Sequence, residues 1–463
     1  MRIEKPGAPA PQRSGGTGAV GVRSGPVARP GRAARTAPGR LRLAGALLAV
    51  LTLAFGALTA VQLNARAAAA ERVTRSSQPL SQAAADINRA LADADATAAT
   101  GFLLAGAEPK AVRERYEQDL ATASRLISDA AARTTSSSAL QGLLSTLNQK
   151  VPVYAGLVET ARSYNRQGFP LGGAYQRYAS EQMRAELLPV AAELSSAQDD
   201  VLAADLADAR TTPWAGYALG LVALLALAWV QLSLFRRTNR VLNIGLLAAT
   251  ASVLAAVLWL TAAASGADSS LGRGEREGAA PLRALNRARV DVLTARLAEN
   301  LHYVARGSSA TYAELWQTTT RNLYTGDTET DKRRSPAGSL ATAQELAPAD
   351  ARTAVGQAVD DYRQWRDRHA AAAKLENEGD YQAALDATVT ARAADAPKTS
   401  DAAFSAADQR LAEAARTEED RFRAEAVGVD GDLRTAAVAI AALGLLAAAA
   451  ALGGLGRRLA EYR

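Results

Sequence analysis

The sequence predicts an all-helical chain: four transmembrane helices, with two tandem up-down four-helix bundles outside the membrane. Three observations carry that expectation. Four long apolar stretches hold no charged side chain. The composition is 48% hydrophobic but only 5% aromatic. The same helical pattern occurs in both long regions between the stretches. Ala, Leu, Arg and Glu favour helix, whereas strands draw on Val, Ile, Tyr, Phe and Thr.

The stretches are residues 43–63, 213–235, 241–265 and 435–455. Each meets the roughly 20 apolar residues that a bilayer core requires. A buried helix of that length in a soluble domain normally keeps a polar stripe. The first run exceeds the apolar part of a signal peptide, and the third plays the same part in mid-chain, so both are read as spans.

Charge sets the orientation. Residues 1–42 carry nine basic side chains and one acidic one; Arg236, Arg237 and Arg240 fill the loop 236–240; Arg457 and Arg458 lie in the tail 456–463. Basic segments stay on the cytoplasmic side, and an even number of spans puts both termini on one side. Both readings agree, so residues 64–212 and 266–434 are expected outside. Arg far outnumbers Lys and Ala and Gly abound, the bias of a GC-rich bacterial genome, so the expected location is a bacterial plasma membrane. The tail 1–42, rich in Pro, Gly, Ser and Arg, is expected to be disordered and to lie against anionic headgroups.

The net charge of +6 does not indicate a nucleic-acid partner. Residues 64–212 carry 15 basic and 17 acidic side chains, and residues 266–432 carry 22 and 28, so the excess lies beside the spans and not on a folded face. There is no Cys, and His302 and His369 are the two His. Disulfides, thiolate sites and a His/Cys zinc site are excluded. No catalytic, cofactor-binding or metal-ligating residues are predicted.

The two outer regions read as copies. Ile87-Asn88-Arg89-Ala90 with Asp93 matches Leu285-Asn286-Arg287-Ala288 with Asp291. Tyr154 and Tyr175-Gln176 match Tyr362 and Tyr381-Gln382, with Pro189 and Pro397 beyond them. In the first copy Leu80, Ile87, Leu91, Ala94, Ala98 and Phe102 recur at helical spacing. A second helix follows Pro109, with Tyr116, Leu120 and Leu126-Ile127 inward. A third carries Leu140, Leu144, Leu147, Val151, Tyr154 and Val158. A fourth runs from Tyr175 towards Trp214 and into the second span, with a kink or break expected at Pro189. The second copy has a first helix lined by Leu282, Leu285, Leu293, Leu297, Leu301 and Val304. Its second begins at 310–323, a polar loop occupies 327–339, its third covers 349–377 and its fourth starts at Asp380. Helices that enter from one span and return to the next are antiparallel neighbours in an up-down bundle.

The segment Asp93-Ala-Asp95-Ala-Thr-Ala-Ala-Thr-Gly101-Phe102-Leu-Leu-Ala-Gly106 and the turn Gly379-Asp380-Tyr381-Gln-Ala-Ala-Leu385 resemble the extracellular four-helix-bundle sensors of chemoreceptors and sensor kinases. The whole order of span, bundle, span, three-Arg loop, span, bundle, span and short tail resembles the GlnX-type membrane proteins of actinobacteria. That resemblance implies an amino-acid-binding lipoprotein as outer partner and a soluble Ser/Thr kinase as inner partner. No functional residues carry over from it.

The inner segments span 42, 5 and 8 residues and hold no His, so the chain lacks a kinase domain and the cytoplasmic coiled coil of a chemoreceptor. Arg89 and Arg287 sit at equivalent positions. Each either clamps a ligand carboxylate or pairs with Asp93 or Asp291 one turn away, the commoner arrangement. His302, Tyr303 and Arg306 near the outer tip are further candidate contacts. His369, on a charged helix, is expected to be solvated. Trp316, Tyr362 and Trp365 form either an aromatic pocket or, at helical spacing, core. Arg236, Arg237, Arg240, Arg457 and Arg458 are candidate contacts for a cytoplasmic partner. The Gly216/Gly220 pair and Gly444, Gly453 and Gly454 suit either a tight four-span cluster or a homodimer. The expected function is non-enzymatic: relay of extracytoplasmic amino-acid or binding-protein status to a cytoplasmic kinase. The alternative is an envelope scaffold.

Overall fold

The computed structural model describes residues 37–104, 108–134, 137–238, 243–306, 310–325, 335–390, 395–426 and 428–460. Among them no strand forms, only an isolated bridge between Thr325 and Ala337. The segment 1–36 and most of the predicted loop 327–339 lie outside the described residues.

The chain enters through α1 (Ala37–Arg72), which passes through a π turn (Val73–Ser77) into α2 (Gln78–Leu103). Together they form one helical run, Gly39–Leu103, of 65 residues, about 95 Å at 1.5 Å per residue. The first bundle continues with α3 (Lys110–Arg133), α4 (Ser138–Arg166), α5 (Leu171–Gln182), a second π turn (Met183–Leu187) and α6 (Leu188–Ala209). Ser137 starts α4 by accepting a hydrogen bond from the Leu140 amide. Gly168, at φ +76°, turns the chain from α4 towards α5, a backbone region that suits glycine.

The return to the membrane differs from the expectation. Arg210 to Pro213 interrupts the helix before α7 (Trp214–Thr238). Pro213 lacks an amide hydrogen and disfavours helical backbone at Thr212. Pro189, by contrast, neither breaks nor ends its helix. It sits second in α6, directly after a π turn, as Pro79 does in α2. A π turn adds one residue to the ladder, which moves the carbonyl that the proline ring would otherwise strike.

The second half repeats the plan with more interruptions. Helix α8 (Ile244–Arg273) passes through a third π turn (Gly274–Ala279) into α9 (Ala280–Ala305), where Pro281 is second. Then follow α10 (Ala310–Leu323), α11 (Ser339–Leu346), α12 (Arg352–Asn377), α13 (Tyr381–Thr388), a 3-10 turn (Ala396–Lys398), α14 (Ser400–Ala426) and α15 (Val429–Ala460). The predicted third helix starts at Arg352, not 349. The predicted fourth is divided around Pro397, in the 3-10 turn. Gly428, at φ +93°, separates α14 from α15.

The cores follow the sequence stripes. Ile87, Leu91 and Ala98 of α2 meet Tyr116 and Ile127 of α3 and Leu144, Leu147, Tyr154 and Val158 of α4. In the second bundle, Trp316, Tyr362 and Trp365 are core: the two Trp rings pack edge-on at 5.1 Å, and Tyr362 meets Trp365 at 6.1 Å. His369 is not solvated. It is about one-fifth exposed, and its ring stacks on Trp316 at 3.8 Å.

The two bundles pack against each other. Helix α2 turns one face to its own core and lends Ala92, Ala96 and Ala99 to the core of the second. Every residue from Ala90 to Gly101 is therefore buried. The run is mostly Ala and other small residues, which lets helices approach on two sides at once.

Four helices are long and apolar enough to cross a membrane, and they cluster through glycines. The Cα of Gly444 in α15 lies 3.2 Å from where a Cβ on Gly56 of α1 would stand. Gly245 of α8 meets Gly454 of α15 more closely, with the Gly454 Cα only 2.5 Å from that position. Asn243 donates to the Gly454 carbonyl at 2.9 Å. Gly216 and Gly220 pack on Thr59 and Phe55 of α1. All these contacts lie inside one chain, while Gly453 has no neighbour within 4 Å. Just above the spans, buried Arg66 of α1 donates to the Ala209 carbonyl at 2.9 Å and to Asp268 of α8 at 2.7 Å.

Candidate functional site between the bundles

The seam between α2 and α9 is polar where packing is densest. Asn300 of α9, fully buried, donates to Thr100 Oγ1 at 2.8 Å and to the Ala96 carbonyl at 3.2 Å. One bundle thus satisfies backbone and side-chain groups of the other.

A chain of ion pairs runs beside that seam. Arg115 of α3 forks onto Asp93 of α2, Nε to Oδ1 at 3.1 Å and Nη2 to Oδ2 at 2.9 Å. The same Nη2 reaches Asp408 of α14 at 3.1 Å. Asp408 also accepts from Arg289 Nε of α9 at 3.2 Å. Four helices from both bundles are joined through buried or half-buried charges. Asp119 stands beside them on α3, and its Oδ2 has no partner. Burial and the nearby Asp93 raise its pKa above the ordinary carboxylate range.

Each bundle also holds a fully buried carboxylate. Asp95 of α2 accepts from Tyr154 Oη at 3.0 Å and Ser180 Oγ at 2.8 Å, both on Oδ1, which leaves Oδ2 unpaired. Burial outweighs those bonds and lifts its pKa from 3.8 to about 6. Glu299 of α9 behaves in the opposite way. Burial would raise it, but Arg296 Nη1 at 2.6 Å, His369 Nδ1 at 3.0 Å and Ser400 Oγ together hold it at about 2, and Trp365 Nε1 donates to it at 2.9 Å.

Towards the membrane the seam opens into a cleft lined by Asp86 and Arg89 of α2, Asn286 and Arg289 of α9, and Arg416 and Glu419 of α14. Of the sequence candidates, Arg89 alone lies there. It does not pair with Asp93, whose oxygens Arg115 occupies, but leans on Asp86 at 3.4 Å. Arg287 is exposed and does not line the cleft. It acts on Asp291 one turn away, where it opposes the burial that raises that carboxyl. At about 100° per residue, the residue two positions on, Arg289, faces nearly the opposite way, into the seam.

His302, Tyr303 and Arg306 gather elsewhere, at the outer end of α9. His302 Nε2 lies 2.7 Å from Glu376. Tyr303 is buried, and its carbonyl accepts from Tyr381 Oη at 2.8 Å. Arg306, at φ +38°, ends the helix with its guanidinium 5.6 Å from the Tyr381 ring centre. Arg236 and Arg457 are exposed at helix ends. Arg240 lies outside the described residues, as do the side chains of Arg237 and Arg458.

The sequence reading missed Asp95, Arg115, Arg296, Glu299, Asn300 and Asp408. A signal was present: Asp95 follows Leu91 by four residues, Glu299 stands four from both Ala295 and Tyr303, and Asn300 stands three from Leu297 and four from Val304, where a helix's apolar face allows a polar group only with partners.

A family model described as an actinobacterial sensor domain matches residues 69–207, the span that holds α2 to α6. No curated protein and no solved structure matches the chain. The match points to a sensing role without catalysis, in a multi-pass membrane protein with four apolar helices.

Proposed function

We propose that this chain is a transmembrane receptor whose two bundles stand outside the cell and whose short inner segments present the signal to a cytoplasmic partner. The observation that supports it best is the unbroken run from α1 through α2, buried on two sides between the bundle cores. Whatever shifts the seam shifts a rod that continues through the membrane. Small translations or rotations of packed helices are the ordinary motions of such switches. The distribution of basic residues supports cytoplasmic termini, with Arg236, Arg237, Arg240, Arg457 and Arg458 as the contacts for that partner. The GlnX-type resemblance supports an amino-acid-binding lipoprotein as the outer partner and a soluble Ser/Thr kinase as the inner one.

The test is recovery of the protein from crosslinked, solubilised membranes with and without added glutamate and aspartate. Co-purification of a solute-binding lipoprotein and a soluble kinase, in amounts that change with the amino acid, is the expected result. Recovery of envelope-assembly proteins alone, indifferent to amino acids, would mean a scaffold instead.

A further inference from the structure

The cleft below the seam holds more hydrogen-bond donors than its own acceptors use. Arg289 reaches Asp408 through Nε, which leaves its terminal nitrogens for the cleft that it lines. Arg89 has one long contact, to a half-exposed Asp86. Arg416 is exposed and makes no ion pair among the described residues. Gln82, also on the wall, buries its Nε2 with no partner. A buried amide hydrogen without an acceptor costs free energy unless something fills the place. Three guanidinium groups and an orphaned amide converge on a space of about 210 Å³ between helices of both bundles.

We propose that this cleft binds a small carboxylate, held by Arg89, Arg289, Arg416 and Gln82. The guanidinium fork matches a carboxylate in two hydrogen bonds, which a lone ammonium cannot do. Asp86 and Glu419 on the rim repel each other, and burial with that repulsion raises the Glu419 carboxyl against its pairing with Arg423. An ammonium on the ligand relieves that repulsion, so an amino-acid zwitterion and a simple dicarboxylate share the anionic contact and differ at the rim. The site draws on α2, α9 and α14. A bound carboxylate therefore bears on the seam itself, and in this the inference rests on the receptor reading above.

Binding is read on the full chain in lipid nanodiscs, by calorimetric titration with succinate and with glutamate, and with glycerol as neutral control. Saturable binding of at least one carboxylate and none of glycerol is expected, weakened about tenfold or more in Arg416→Gln. Tighter binding of glutamate, lost in Asp86→Asn, assigns the rim to an ammonium; equal binding of both assigns the site to the carboxylate alone. Arg416 is exposed and makes no ion pair among the described residues, so its variant folds; Gln82→Leu gives a second, uncharged check. No saturable binding of either carboxylate, or binding unchanged in both variants, overturns the proposal. The readout needs no signalling output. Intact binding without a relay counts against the receptor, and an intact relay without binding counts against the cleft.

Discussion

Asn300 of the second bundle donates to Thr100 of the first at 2.8 Å, with both side chains buried. This bond is one of the links between the two bundles, and neither Asn300 Nδ2 nor Thr100 Oγ1 can turn to water. Asn300→Leu removes it and the bond to the Ala96 carbonyl, and leaves Thr100 with only its helical bond to Ala96. A loss of about 1–3 kcal/mol is expected. Denaturant unfolding checks it, and a double-mutant cycle with Thr100→Val should show the two changes to be non-additive. Additive losses would place Asn300's contribution elsewhere.

The glycine contacts between spans predict a graded series. Gly245→Ala puts a methyl 2.5 Å from the Gly454 Cα, and Gly444→Ala puts one 3.0 Å from the Gly56 Cα. Neither backbone can yield without moving α15. Losses of about 1–3 kcal/mol, larger at Gly245, are expected as lowered thermal transitions in detergent. Gly453→Ala meets nothing within 4 Å and should leave the transition unchanged. Equal effects at all three positions would mean that the spans are not packed through these faces.

Asp95 makes stability fall as pH rises. Its folded pKa of about 6 lies above the unfolded value of 3.8, so the native state binds more protons between them. Its contribution is most favourable below about pH 4 and is lost as pH rises through about 6, amounting to about 3 kcal/mol at 1.36 per unit. Asp95→Asn should flatten that part of the profile and be the more stable protein at pH 8. Thermal transitions measured from pH 4 to 8 decide it, since a variant with the parent's slope would place the titration in another group.

Glu299 gives the opposite slope in a lower window. Its pKa is about 2 when folded and 4.5 when unfolded, so its contribution is present above pH 4.5 and is lost as pH falls towards 2. Glu299→Ala strands the fully buried Arg296 with only Asp401, at 2.7 Å, as its counter-charge. A loss of about 3–5 kcal/mol is expected, as for any buried pair that loses one partner. The double variant Arg296→Met with Glu299→Ala should recover part of it. If the double variant is as unstable as the sum of the single changes, Arg296 does not depend on Glu299.

Much of this architecture was legible in the chain. The four spans, the stripes through Ile87 and Leu91 or Leu285 and Leu293, and the aromatic core around Trp365 all follow from spacing and charge. The interruptions were harder. Pro189 and Pro213 look alike in sequence, yet one follows a π turn in a continuous helix and the other follows a break. The difference depends on whether the surrounding helices hold the backbone in line. The site was less legible still. Arg89 and Arg287 occupy matching places in the sequence pattern, but the second bundle presents Arg289 to the seam, because α2 and α9 meet through different faces. The spacing within each region reports the face that its own core needs, whereas the seam depends on how the two regions pack together.

The connections to the membrane are of two kinds. The ingoing helices, α1 into α2 and α8 into α9, are continuous through their π turns. The outgoing ones are interrupted, at 210–213 before α7 and at Gly428 before α15. On the receptor reading, torque and thrust would pass along two of the four legs, with the other two as pivots that let those shafts move without dragging the whole assembly. The surplus residue in each π turn also sets the angular phase between shaft and bundle. Deleting one residue there would turn every contact surface above it by about 100° while leaving the spans seated as before.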